Sequence, residues 1–212
     1  EGKAINCHNT HGSLSFGNAL AFSCNCAFAE IALMLDSDIL SQYAEAYGLT
    51  ESFSMDIISV AAGNFDQHED DSWELAWSGI VRHPARLCDD LVNPLAFLRL
   101  MGAYANEGVA VTPRFVLSVA GASGIQTTIT PRTSVRLVEA TTANAMCEMM
   151  AYNVSVNYGA ENYPGLDICA KSGTAATRLV RGLSSQRRCT AGIRRTNRKW
   201  WIRFERCGCC CK

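Results

Sequence analysis

Lysine is scarce. The chain has only Lys3, Lys171, Lys199 and Lys212, and none has a serine three residues before it. No serine nucleophile with a base lysine one helical turn later can therefore be drawn from these residues. No run approaches the roughly 18–20 consecutive apolar residues that a membrane span needs. The start Glu1-Gly2-Lys3 lacks the basic-then-apolar layout of a signal peptide. Proline is also sparse, at 5 residues, and no internal repeat is visible, which argues against collagen-like or solenoid architecture. What is present is a hydrophobic fraction of 48% over 212 residues, enough for one domain with a real core. As it stands, the chain is expected to be soluble and to carry no targeting segment.

The net charge of −1 conceals an asymmetry. Residues 1–175 hold 8 basic and 19 acidic residues, a net −11, whereas 176–212 hold 11 basic and 1 acidic, a net +10. Five of the 11 cysteines (Cys189, Cys207, Cys209, Cys210, Cys211) lie in the short basic part. Cysteine usage thus describes the tail more than the body and indicates no redox compartment. The expected division is a body, 1–175, and a Cys/Arg-rich tail, 176–212.

Hydrophobic periodicity predicts the elements of the body. Ser15 precedes Phe16, Leu20, Phe28, Ile31 and Leu35 at roughly helical spacing, broken at Ser23-Cys24-Asn25, which predicts two helical pieces joined by a polar elbow. Ser37 is the expected cap of a third helix that Gly48 stops in the left-handed conformation. Residues 50–71 turn polar and acidic and read as a solvated loop. Asp89-Asp90 is expected to open a helix of about 15 residues that ends at Glu107-Gly108, with Pro94 tolerated in its first turns. Strands are expected at 113–120 and 166–175, and an amphipathic helix at 133–152.

Two short motifs carry chemistry: Ser23-Cys24-Asn25 at the elbow, and Lys171-Ser172-Gly173-Thr174 at the end of a predicted strand. Alone, each occurs by chance, and the plain structural reading has Ser23 capping a helix and Lys171 solvated. Their order and separation, however, resemble two of the three motifs of the serine acyl-transferases that include penicillin-binding proteins. The flanking residues sharpen the likeness. His11-Gly12, Asn18 to Phe28, Leu75 to Ile80, Asp90 to Phe97, Gly102 to Gly108 and Pro164 to Ala175 resemble that family's transpeptidase domains in the expected order, covering nearly all of residues 5–175.

The resemblance implies an α+β fold: a partial penicillin-binding transpeptidase (β-lactamase-like) fold, helix-rich with an incomplete antiparallel sheet. It implies acyl transfer on D-alanyl-D-alanine stem peptides of peptidoglycan, with β-lactams as acylating ligands and no cofactor. Ser23 would relay a proton toward the leaving amine, Asn25 would hold the substrate amide, and Lys171 would supply positive charge beside the hydroxyl. Ser172 and Thr174 would bind the substrate carboxylate. Gly173 would leave room for a substrate strand along the sheet edge. The implied setting is the extracytoplasmic side of a bacterial cell envelope, with membrane attachment only through an anchor outside these residues.

Two departures from the family pattern stand out. The S-x-x-K nucleophile motif lies farther upstream in the family than the 22 residues before Ser23. The chain is therefore expected to be truncated at its N-terminus and unable to form an acyl-enzyme by itself. After Ala175 the family's glycine-rich turn and Ala-Trp-Phe strand do not follow. Arg187-Arg188, Arg194-Arg195, Trp200-Trp201 and Cys207 to Lys212 stand there instead, as a reading-frame shift would produce. A similar disturbance is expected at 81–88. With sheet partners missing, the strand at Lys171 is expected to expose an unpaired apolar edge and the fragment to be marginally stable.

Competing readings remain. The arginines with Trp200-Trp201 would suit a non-catalytic binding module whose basic tail meets nucleic acid or another anion, although no nucleic acid partner is expected. Cys7, His8 and His11, or the tail cysteines, lack the paired C-x-x-C spacing of a structural zinc site, so no metal is expected. Cys24 and Cys26 sit among alanines and phenylalanines and read as packing residues.

Overall fold

A computed structural model of the chain describes residues 4–65, 72–80, 90–130, 135–178, 184–196 and 199–205, with side chains as far as Gly173. The expected disturbance at 81–88, the acidic run at 67–71 and the side chains of the basic tail lie outside the described residues.

The predicted elbow is present. Ser15 caps helix α1 (Phe16–Ala21), its Oγ accepting from the Asn18 backbone N–H at 3.3 Å. Helix α2 (Asn25–Ala46) starts after Phe22-Ser23-Cys24. The expected third helix is the second half of α2, and its cap is Asp36 rather than Ser37. Asp36 leaves helical geometry (φ 62°, ψ 174°), and its Oδ1 accepts from the Ile39 N–H at 3.0 Å, while Ser37 is buried. A carboxylate at this position satisfies a donor that would otherwise be orphaned, so the kink carries its own cap. Gly48 stops the helix as expected. At φ 66° it lets the Gly48 and Leu49 N–H groups reach the Glu45 and Ala44 carbonyls.

Residues 50–71 contain more than a loop. Strands β1 (Phe53–Met55) and β2 (Ile58–Val60) form a hairpin around Asp56-Ile57. Asp56 takes a positive φ in that turn, and its Oδ2 accepts from the N–H groups of Phe115 and Val116 at 2.8 and 2.9 Å, tying the hairpin to a distant segment. Helix α3 (Ser72–Ser78) packs on α2. At its end, a Cβ on Gly79 would lie 2.5 Å from the Phe28 carbonyl oxygen, so the two backbones meet there only because the residue is glycine.

Helix α4 (Pro94–Ala105) is shorter than expected. Asp90 stays outside it because Leu91 forms an extended bridge with Asn64, with both backbone bonds at 2.7 Å. The cap is Asn93, whose Oδ1 accepts from Leu95 N–H at 2.9 Å. Pro94 then fills the first helical position, where its missing N–H costs nothing. Strand β3 (Val109–Ala110) pairs with β6 (Val135–Arg136), and β4 (Ser118–Ala120) pairs with β5 (Gln126–Thr128). The strand expected at 113–120 thus shrinks to its last three residues. The helix expected at 133–152 becomes α5 (Ala140–Asn157), because residues 135–138 bond instead to β3 and the Gly108 carbonyl.

Strand β7 (Asp167–Arg178) extends past the expected Ala175 and is paired on one side. It runs antiparallel to β8 (Ser184–Thr196), with Lys171 opposite Ala191, and β8 pairs with β9 (Lys199–Glu205). Among the described residues, the order β7-β8-β9 leaves the other side of β7 as a sheet edge. Helix α5 packs on β7, and the core lies between α4, α5 and β7 around Met101, Ala105, Met150 and Cys169, with Leu100, Val138 and Ala143 beside it. Among the described residues no helix is long and apolar enough to cross a membrane.

One polar residue sits inside this core. Asn153, 1% exposed, donates from Nδ2 to the Ala170 carbonyl at 2.6 Å and accepts from Asn157 Nδ2 at 2.8 Å. Truncating it strands a buried carbonyl on β7. Asn153→Ala is therefore expected to lower the unfolding free energy by about 1–3 kcal/mol, read as a reduced urea midpoint. An unchanged midpoint would show that α5 is not held to β7 in this way.

Candidate active site

The site forms where the elbow meets β7. Ser23 is an exposed residue with φ 51°. A non-glycine residue in the left-handed region costs on the order of 1 kcal/mol. The surrounding bonds hold it there: Phe22 N–H to the Asn18 carbonyl at 2.9 Å, Ser23 N–H to Leu20 at 3.1 Å and Cys24 N–H to Ala19 at 3.0 Å. In this conformation the Ser23 hydroxyl accepts a hydrogen bond from Lys171 Nζ, across 148 positions of sequence. Lys171 also donates to the Ser172 carbonyl at 2.6 Å.

Both flanks of this contact are set by α5. Asn157 Nδ2 donates to the Ala21 carbonyl at the end of α1 (2.9 Å), and Asn153 grips Ala170, the residue before Lys171. Tyr152 hydroxyl donates to Asn18 Oδ1 at 2.8 Å, and Tyr158 hydroxyl donates to Ser172 Oγ at 2.6 Å. Ser23 thus follows α1, Lys171 and Ser172 lie on β7, and the partners that orient them come from α5 and its C-cap Tyr158.

The predicted residues divide into three groups. Ser23, Lys171 and Ser172 come together. Asn25, in the first turn of α2, donates from Nδ2 to the Asn6 carbonyl at 3.1 Å, so its amide is held by the chain's own N-terminal segment. Gly173 is exposed on β7, and Thr174 continues the strand, its side chain beyond the described ones. Sequence reasoning missed Asn153, Asn157 and Tyr158. A signal did exist: asparagines at 153 and 157 share a helical face with Met146 and Met150, and polar residues on an apolar stripe require buried partners.

Burial at Lys171 disfavours the ammonium and pulls its pKa below the ordinary 10.5. A lysine so tuned can both donate to and accept from a neighbouring hydroxyl, which suits proton relay more than simple charge pairing. The sign of the stability effect follows. Between the lowered folded value and 10.5 the unfolded chain holds a proton that the folded chain has released, so stability rises with pH through that window. The unfolding free energy of the wild type, measured against Lys171→Met, is expected to shift in the wild type's favour as pH rises there. A pH-independent difference would remove the burial argument.

Comparison with known proteins gives the family. A family model described as penicillin binding protein transpeptidase domain matches residues 1–201. The peptidoglycan D,D-transpeptidase PbpA of Mycolicibacterium smegmatis is 29% identical over 164 residues, covering 77% of this chain and 32% of that protein. Among solved structures, penicillin-binding protein A of M. tuberculosis as an imipenem acyl-enzyme complex superimposes with a TM-score of 0.74 at 24% identity, covering 88% of this chain and 41% of that one. The D,D-transpeptidase domain of a peptidoglycan glycosyltransferase from Eggerthella lenta gives 0.71 at 24% identity, covering 88% and 46%. The chain therefore spans about a third of the length of the curated relative. With an α+β fold shared with these structures and a family match over most of its length, the chain belongs to the penicillin-binding protein transpeptidase domain family.

Proposed function

We propose that this chain supplies two of the three corners of a serine D,D-transpeptidase site acting on D-alanyl-D-alanine stem peptides of peptidoglycan. The observation that carries the reading is the hydrogen bond from Lys171 Nζ to Ser23 Oγ, formed between the two motifs that the sequence separates most widely. Ser23 relays the proton that leaves an attacking hydroxyl and reaches the departing amine, and Lys171 tunes that relay from its desolvated position. Asn25 holds the substrate amide once it exchanges its bond to the Asn6 carbonyl for one to the ligand. Ser172 and Thr174 take the terminal carboxylate, and the free edge of β7 at Gly173 accepts the peptide as an added strand.

None of the 212 residues supplies S-x-x-K. The chain on its own is therefore not acylated, and the nucleophile must come from a segment that bears that motif. β-Lactams bind the same assembled site, as the acyl-enzyme state of the M. tuberculosis neighbour supports. The substrate places the activity in the bacterial cell envelope, on its extracytoplasmic side. The site-bearing region is assigned to 1–175, although the family match runs on to residue 201, and the basic tail is proposed to serve no nucleic acid.

The test uses a fluorescent penicillin. The 212-residue chain is expected to take no covalent label. Fused behind the S-x-x-K-bearing segment of the smegmatis relative, it is expected to be labelled, and Ser23→Ala or Lys171→Ala in the fusion to slow labelling by roughly 10²–10⁴-fold. Labelling of the chain alone, or equal labelling of the fusion and both variants, would overturn the assignment.

A further inference from the structure

The sulfurs at the elbow form a second constellation that the acyl-transfer reading does not use. Cys7, His11 and Cys24 each present one donor atom, and all three atoms lie within 4.8 Å of one another. Cys7 Sγ and His11 Nδ1 are 3.5 Å apart. A tetrahedral zinc ion with bonds of about 2.3 Å to sulfur and 2.0–2.1 Å to nitrogen sets its ligand atoms roughly 3.5–3.8 Å apart. One edge of the triangle is already at that length, and the others close with shifts of about 1 Å or less.

The surroundings hold these donors in place. The His11 ring stacks on Phe22, with centroids 5.7 Å apart and planes 14° from parallel, which fixes where its nitrogens point. Cys24 is buried at the N-cap of α2, and its own side chain caps nothing. A cavity of about 450 Å³ lies between residues 5–12 and the elbow cysteines, leaving room for a fourth ligand such as water. Cys26, the remaining nearby thiol, is turned to the Ile5 carbonyl at 3.6 Å.

We propose that Cys7, His11 and Cys24 form a binding site for one zinc ion that staples the 5–12 segment to the elbow carrying Ser23. Two thiolates and an imidazole are the donor set that borderline-soft zinc prefers over the hard cations magnesium and calcium. The staple has a structural consequence within reach of the other site. The segment it fixes provides the Asn6 carbonyl that holds Asn25. The proposal stands on the geometry of the elbow and does not depend on the transpeptidase reading.

The experiment uses the full 212-residue chain, kept reduced and stripped of metal. Zinc is titrated against a chromophoric chelator, and cobalt(II) serves as the spectroscopic probe. Because the basic tail has cysteines of its own, a parallel chain carries serine at 189, 207, 209, 210 and 211. Expected are one zinc per chain in both forms, a thiolate-to-cobalt charge-transfer band, and slower amide exchange across residues 5–12 with zinc bound. Cys7→Ser and His11→Ala are each expected to weaken zinc by more than the roughly 10–100-fold typical of losing an outer-shell partner. His11 is only half-buried, so His11→Ala keeps the test valid should a cysteine variant misfold, with circular dichroism as the check. Zinc binding that vanishes with the tail cysteines, or that ignores both Cys7→Ser and His11→Ala, would overturn the site, as would a cobalt spectrum without a thiolate band.

Discussion

The arrangement depends on a short polar ladder inside an apolar helix face. Asn157 holds the end of α1 through Ala21, Asn153 holds β7 through Ala170, and the two asparagines bond to each other one helical turn apart. Neither contact lies in either motif, yet together they fix the spacing between an elbow near the start of the chain and a strand near its end. An amide is suited to this task because it donates and accepts at once, so Asn153 can take Asn157's bond on its oxygen while its own nitrogen holds Ala170. Replacing either asparagine with a hydrocarbon of similar size would keep the packing but release the register of Lys171 against Ser23.

That register matters because the chemistry at the contact is set by environment rather than by residue type. A lysine on a solvated strand end is an ordinary cation. Here the same side chain is partly withdrawn from water, which lowers the cost of giving up its proton, while the bonds it donates to a hydroxyl and a carbonyl hold the amine in place. The left-handed backbone at Ser23 is the complementary local cost. It is held by the α1 C-terminal hydrogen bonds, and without it the hydroxyl would not meet the amine.

Much of this was legible in the sequence, and the failures have physical reasons. The elbow, the Ser15 cap, the Gly48 stop and the motif strand follow from local rules, in which one residue's conformational preference decides the outcome. The errors arose where a distant partner competed for the backbone. Asp90 looked like the start of a helix, but Asn64 claims Leu91 in an extended bridge. Residues 133–138 continued the amphipathic pattern, but β3 and Gly108 claim 135–138. At Asp36 a competing side chain decided, since its carboxylate stands three residues before the Ile39 N–H, the N-cap spacing to an open donor, while the serine expected to cap is buried. In the site, Ser23 and Lys171 were visible as motif residues, whereas Asn153, Asn157 and Tyr158 were visible only as polar residues on an apolar helix face.

Cys24 shows what a correct local reading leaves unread. Reading it as packing fits its burial, but burial says nothing about what else is buried with it. Around a non-helical elbow, successive side chains leave in different directions. Ser23 is exposed and meets Lys171, while Cys24 turns inward beside Cys7 and His11. The two faces share one stretch of backbone, so any ligand that restrains the inner face also restrains the outer one. The N-terminal segment reaches the same stretch twice, through Cys7 at the sulfur cluster and through the Asn6 carbonyl at Asn25. A single residue of separation between those two contacts makes independent movement of one against the other sterically expensive. The conformation of the segment before the elbow is thus a physical input to how Asn25 is presented, even though no residue of that segment belongs to a motif.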